Sequence, residues 1–208
     1  MPKIVDPEER RAAIADAVVT VIARGGTDQA TFANVAKEAG LVVGSVRHYF
    51  DSQAAMLGFA MRRLAEGIRG RVLRTAEPAF AASAAPDLRD RRAITVQILC
   101  ETLPLDEPRR RETSAWLALS ISALTRPELS PIVDEFHSGV RSLVREVLTR
   151  VREAGHLAGG DAEFDLDVEG LSALLDGLAT DAALRPDHYS ADLLEGVVRR
   201  HLERLDGR

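Results

Sequence analysis

Between Thr31 and Phe50 the chain reads TFANVAKEAGLVVGSVRHYF, which leaves room for two short helices around one tight turn and for little else. Thr31 is a good N-cap whose hydroxyl can accept from the free amides of the next turn, and Phe32, Val35, Ala36 and Ala39 then recur at helical spacing. Gly40 stops that helix, Leu41 fills the turn, and a second helix starts near Val42 or Val43 with Val46 and Phe50 on a single face. At about 100° per residue, Val42, Val43, Val46 and Phe50 fall on one side, predicted to be buried, and Gly44, Ser45 and His48 roughly opposite. Gly44 lacks a Cβ, so the backbone there can approach a phosphate or base edge; Ser45 and His48 can each donate or accept at a base, and the flanking Arg47 and Tyr49 are placed for phosphates. A unit of this kind fits one helix into a DNA groove, although an ordinary helical hairpin with a wet polar side has the same pattern.

On these residues the chain resembles the TetR-type one-component transcriptional regulators. The family pattern covers about fifty N-terminal residues: Thr31 opens the second helix, Val35 and Ala36 match an aliphatic-Ala pair, Ala39 and Gly40 an Ala-Gly, Gly44 a glycine inside the recognition helix, and Tyr49 and Phe50 the closing aromatic pair before Leu57. Three positions depart from it. Val42 stands where a small polar cap is usual, Arg47 where the family has Tyr, and Gln53 where it has a phosphate-binding Lys. Arg47 can supply a phosphate contact with a charge-assisted bond, whereas Gln53 leaves one contact neutral and predicts a shallower salt dependence. The expected DNA-binding set is Thr31, Val43, Gly44, Ser45, Arg47, His48, Tyr49 and Gln53.

The flanking segments support this unit. Asp6, Pro7 and Glu9 supply an N-cap, a first-turn proline and a capping-box partner; Ile14, Val18, Val21 and Ile22 form an inward face, and Gly25-Gly26 ends the helix. Ser52 is a plausible cap for a long helix to about Thr75, with Met56, Leu57, Ala60, Leu64, Ile68 and Leu73 inside and Arg62, Arg63, Arg69, Arg71 and Arg74 on a solvated remainder. The resemblance implies a head over residues 1–52, extending to about 68, and a ligand-binding and dimerisation body over 53–208, joined by this helix.

Residues 1–74 carry 11 Lys and Arg against 8 Asp and Glu, and the remaining 134 carry 16 against 24, so a +3 head is attached to a −8 body within a net charge of −5. That balance argues against non-specific coating of nucleic acid and for a local basic surface doubled by dimerisation. The single cysteine, Cys100, excludes an internal disulfide and fits a reducing cytoplasm. The longest uncharged run, Thr113 to Thr125, is too short to span a bilayer, and no apolar leader opens the chain, so a soluble cytoplasmic protein is expected.

Beyond Pro78 the periodicity is helical throughout, giving an all-α body. Helices are predicted over Asp87 to about Leu103, about Pro108 to Leu124, Ser130 or Pro131 to Ala154, Asp167 to about Leu184 and Ala191 to Leu205, with Glu77 to Pro86 a loop or weak helix and Gly159-Gly160 a link. Asp165, Asp167, Glu169 and Asp176 imitate a calcium loop, but Leu171, Leu174 and Leu175 demand helix through its second half. No paired metal spacing joins the histidines, and no nucleophile or phosphate cradle is evident, so neither metal, cofactor nor enzymatic activity is expected.

The last two helices expose more apolar surface than one small body covers, and in the family that pair docks on its twofold mate. The dimer set is accordingly Leu171, Leu174, Leu178, Leu194, Val197, Val198 and Leu202. A symmetric homodimer also suits a palindromic operator in double-stranded DNA, whose major-groove faces recur about 34 to 36 Å apart. The resemblance implies an effector pocket in the body, and the residues suited to line it are Cys100, Trp116, Ser120, Phe136, Val140, Asp176 and Thr180, although core packing is the readier explanation of each. Few aromatics are present for a quaternary-ammonium cage, so a mostly apolar small organic effector is expected. The function implied is a ligand-responsive repressor; a helical small-molecule-binding or scaffolding protein that has lost DNA binding is the competing reading, encouraged by Val42 and Gln53.

Overall fold

The computed structural model describes residues 6–81, 88–153, 155, 157 and 160–206. Among the described residues there are nine α-helices and no strand: α1 (Pro7–Gly25), α2 (Phe32–Glu38), α3 (Val43–Tyr49), α4 (Gln53–Ala81), α5 (Leu88–Cys100), α6 (Glu107–Ala123), α7 (Ser130–Glu153), α8 (Asp161–Leu184) and α9 (Ala191–Asp206). The all-α expectation holds. The chain forms two compact units, Met1–Glu66 with Arg111–Phe136, and Gly67–Arg110 with His137–Arg208.

In the first unit, α1 starts where its cap allows: Glu8 N–H donates to Asp6 Oδ1 at 2.9 Å, with Pro7 at the first helical position. Ile14, Val18, Val21 and Ile22 are buried, as are Val35 and Ala36 of α2 and Val46 of α3. Asn34 N–H donates to Thr31 Oγ1 at 3.2 Å, so Thr31 caps α2. At its other end Gly40, with φ of 65°, lets Leu41 N–H reach the Ala36 carbonyl at 2.8 Å and Gly40 N–H reach that of Lys37 at 3.3 Å, a Schellman closure that turns the chain into α3. Phe50 packs beside Phe59 with ring centroids 5.4 Å apart, and the Arg11 guanidinium lies 4.7 Å from the Phe59 centroid. A short 3₁₀ turn, Thr27–Gln29, joins α1 to α2, and its buried Thr27 hydroxyl is hydrogen-bonded to Ser122 Oγ of α6. Ser122 itself donates to the Ala118 carbonyl at 2.8 Å, which leaves Thr27 as donor in the first bond. Beside it Arg126 pairs with Asp28, and Arg62 of α4 pairs with Glu135 of α7 at 3.4 Å.

Helix α4 continues to Ala81, past the expected end near Thr75 and into the segment read as a loop or weak helix; residues 82–87 lie outside the described ones. Leu73 is 40% exposed, contrary to its expected inward position. Five residues on from the buried Ile68 it has turned about 140° off that face, and Val72 and Ala76, at i+4 and i+8, are buried instead.

The second unit is built on one apolar cluster drawn from α5, α7, α8 and α9, including Leu99, Val144, Leu148, Leu171, Leu175, Leu194 and Val198. Ile98 and Leu99 of α5 are buried as expected, while Ile94 is partly exposed and Val96 is buried in addition. Helix α5 ends at Cys100, short of the expected Leu103, because residues 101–103 form a turn ahead of Pro104. Gly155, with φ of 81°, follows α7; Ala154, His156 and Gly159 fall outside the described residues.

Helix α8 begins at Asp161, a turn and a half before the expected Asp167, because Gly160 N–H donates to Glu163 Oε2 at 3.0 Å and closes its first turn. The four acids of the calcium-like spacing are therefore all helical. Two of them, with Asp161, meet arginines one or two turns apart on α7: Arg141 to Glu169 through bonds of 2.7 and 2.5 Å, Arg145 to Asp165 at 2.6 Å, and Arg152 to Asp161 at 3.1 Å. These pairs register α7 antiparallel to α8, with the Arg152 guanidinium 4.0 Å from the centroid of Phe164. No described helix is long and apolar enough to cross a membrane.

Two stability outcomes follow from this packing. Leu171→Ala, which empties a fully buried site, lowers unfolding free energy by about 2–5 kcal/mol in urea titrations at fixed protein concentration. The hydrogen bonds from Arg141 hold the Glu169 carboxyl below the ordinary carboxylate range. The melting-temperature advantage of the native protein over Glu169→Gln is then complete at neutral pH and disappears as acid titrates Glu169 through that lowered folded-state value.

Candidate nucleic-acid interface

Helix α3 is one-sided. Val46 is fully buried and Phe50, just past its end, is 4% exposed, whereas Gly44, Arg47 and His48 are exposed and Ser45 and Tyr49 half-buried. The seven-residue helix thus turns its polar side outward on a base set by one valine. A Cβ added at Gly44 would meet nothing within 4 Å, so the approach to this part of the helix backbone is open. Arg47 lies with its guanidinium 5.1 Å from the Phe32 ring centroid, a contact that steadies the arginine stem while its charge stays in solvent. His48 and Tyr49 meet edge-on at 5.3 Å.

Val42 and Val43 differ from the projection that buried them: Val42 is 72% and Val43 38% exposed. Val42 is the cap, with extended backbone at φ −83° and ψ 149°, so the helical projection does not reach it, and Val43 opens the first turn. Gln53 Nε2 donates to the Ala30 carbonyl at 3.1 Å, tying the start of α4 to the residue before the Thr31 cap. Sequence reasoning missed the Thr27–Ser122 and Asp28–Arg126 contacts, whose partners stand 95 and 98 residues apart and carry no local signal.

The residues expected at the effector site divide between the units. In the first, Trp116 stacks on Phe136 with centroids 4.0 Å apart and an interplanar angle of 21°, and Ser120 Oγ donates to the Trp116 carbonyl at 3.0 Å. In the second, Cys100 is buried in the apolar cluster, where desolvation pushes its thiol up to about 12. Val140 is half-buried, and Thr180 Oγ1 donates to the Asp176 carbonyl at 2.8 Å. Burial raises the Asp176 carboxyl, against the pull of His137 at 3.9 Å and of Arg141.

Of the expected dimer residues, Leu171, Leu178, Leu194, Val198 and Leu202 are enclosed by the second unit's own core. A helical apolar stripe has the same spacing whether its own chain or a second copy covers it, and here the chain covers it. Leu174 and Val197 remain partly exposed and line, with Leu193, Gly196 and His201, an open groove of about 390 Å³ along α8 and α9.

Residues 14–58 match the family of bacterial regulatory proteins described as tetR, and residues 91–207 match the C-terminal part of the BetI-type transcriptional repressors. The HTH-type transcriptional regulator PksA of Bacillus subtilis (strain 168) is 35% identical over 205 residues, which cover 99% of this chain and 94% of PksA. The HTH-type transcriptional regulator BetI of Escherichia coli O17:K52:H18 is 29% identical over 214 residues, 97% of this chain and 96% of BetI. A transcriptional regulator from Rhodococcus sp. Rha1, known as a crystal structure, superposes with a TM-score of 0.73 at 28% identity, over 94% of this chain and 95% of that one.

The one tryptophan makes the aromatic pair observable. Phe136→Ala removes a ring that is 7% exposed, so Trp116 emission shifts to the red and unfolding free energy falls by about 3–5 kcal/mol.

Proposed function

We infer that this chain, which belongs to the TetR family of DNA-binding transcriptional regulators, acts as a homodimer on a pseudopalindromic operator and is released from it by a small organic molecule. The observation that carries the operator contact is the one-sidedness of α3, with Val46 and Phe50 buried and Gly44, Arg47 and His48 turned outward. Set in a major groove, Ser45 and His48 read base edges, Gly44 allows close approach of the backbone, and Val43 lies at the leading turn. Arg47, Tyr49 and the Thr31 hydroxyl, which keeps a donor after accepting from Asn34, take phosphates. Gln53 spends its amide on the Ala30 carbonyl, so its role in this reading is to hold the turn beneath Thr31. Its family counterpart's charge is missing from the salt dependence.

The groove along α8 and α9, with Leu174, Leu193 and Val197, is the surface that a second copy covers in this reading, and it replaces the broader stripe that the second unit uses internally. The effector in this reading is a mostly apolar organic molecule, the default for a pocket within a helical body, and the scarcity of aromatic residues for a cationic cage agrees with it. In this reading the molecule favours the arrangement that does not fit DNA, and its coupling, in the range of about 1–3 kcal/mol for such switches, lowers operator affinity. Catalysis has no part in this scheme, and the site of action is the cytoplasm.

The test is selection of random duplex DNA on the purified full chain, followed by a salt titration of the enriched sequence. An enriched palindrome with half-sites one or two helical turns apart supports the reading; no enrichment by an intact dimer overturns it in favour of a sensor without DNA. The double change Arg47→Ala with Tyr49→Ala is expected to abolish operator binding at moderate salt while leaving dimer and melting curve in place. Arg47→Ala alone should flatten the logarithmic salt slope by about 1 for each half-site.

A further inference from the structure

We propose that Val42 reads the 5-methyl group of a thymine in each half-site, by apolar contact in the major groove. This rests on the reading that α3 enters that groove. Val42 is 72% exposed and Val43, beside it, 38%, and within the first unit's DNA-binding segment, residues 6–66, they are the exposed large apolar side chains. The position gives up a hydrogen bond to be apolar: no side chain caps α3, where Ser, Thr, Asp or Asn would satisfy an orphan amide. Little packing against the described residues offsets that loss, because Val42 is mostly exposed. The leading residues of a groove-inserted helix are the ones that meet base edges. On those edges hydrogen-bonding groups are matched by polar side chains, and the thymine methyl is the apolar feature that a valine complements. Neighbouring Gly44, with open space where a Cβ would stand, lets the start of the helix approach the bases closely enough for so short a side chain to touch.

The experiment replaces each thymine of the enriched operator by uracil, which deletes the methyl and leaves pairing intact, and compares the full-length native protein with Val42→Ala and Val43→Ala. One symmetric thymine should be sensitive in the native protein, losing about fourfold in affinity per half-site on replacement, the value of one buried methyl. In Val42→Ala the thymine and uracil operators should bind alike, and in Val43→Ala the difference should persist. The melting temperatures of both variants, altered at exposed positions, serve as the control for folding. An operator with no uracil-sensitive position, a sensitivity unchanged in Val42→Ala, or one abolished by Val43→Ala and not by Val42→Ala overturns the assignment while leaving DNA recognition standing. A native protein that enriches no duplex removes both together.

Discussion

The orientation of α3 depends on the burial of Val46. Helix α2 packs against both α1 and α3, and Val46 is enclosed along with Val35 and Ala36 of α2 and Ile14, Val18 and Ile22 of α1. Rotating α3 by one residue, about 100°, would bring Arg47 toward that core in place of the valine. An unpaired guanidinium there would cost several kcal/mol, far more than a seven-residue helix could recover through its own hydrogen bonds. The outward direction of Gly44, Arg47 and His48 is therefore a consequence of apolar packing on the opposite side. The exposure of this face is an indirect product of the core beneath it.

The body uses charge for a task that its leucines do not perform. Leu171, Leu175, Leu194 and Val198 supply burial without direction, since apolar contact is indifferent to small slides of one helix along another. The pairs Arg141–Glu169, Arg145–Asp165 and Arg152–Asp161 are exposed and individually weak, but they run in opposite order along α7 and α8 and agree on one register. The forked geometry of Arg141 on Glu169 adds direction that a single-point contact would lack.

Local patterns were legible and distant ones were not. The Thr31 cap, the Gly40 turn, the Asp6-Pro7 start of α1 and the buried face of α1 all follow from residues within a turn or two of one another, and the structure has them as read, while of the α2 stripe Val35 and Ala36 are buried and Phe32 and Ala39 half-buried. Val42 departed because a helical projection was carried onto a cap with extended backbone. Leu73 departed because a stripe was continued at uneven spacing when Val72 and Ala76 held the stricter i+4 series. The early start of α8 hung on a glycine N–H bonded to Glu163, a weaker signal in sequence than the leucines that follow. The leucines of α8 and α9 illustrate a deeper limit: periodicity announces that a face is covered and says nothing of whether the cover is the same chain. On the interface, the exposed polar side of α3 could be read from spacing, whereas the bond from Gln53 to Ala30 could not, since a glutamine serves equally as a phosphate contact or a structural tie.

The contacts of the 3₁₀ turn also bear on what a ligand would have to alter. Thr27 and Asp28, which lead directly into Thr31 and α2, bond to Ser122 in the last turn of α6 and to Arg126 just beyond it, while Arg62 on α4 reaches Glu135 in α7. The compact unit that carries α3 consequently includes Arg111–Phe136, and the stacked Trp116–Phe136 pair lies inside it. A ligand shifts an equilibrium only by its differential affinity for two arrangements, and any rearrangement of Arg111–Phe136 would have to be shared with the turn before α2, to which that segment is bonded. Buried Thr27 makes the tie sharp, because a hydroxyl enclosed in protein must keep its partner or bear the cost of desolvation, so displacement of the α6 end and of the 3₁₀ turn are one event. Those hydrogen bonds lie within one compact unit, in which residues 1–66 are packed with Arg111–Phe136.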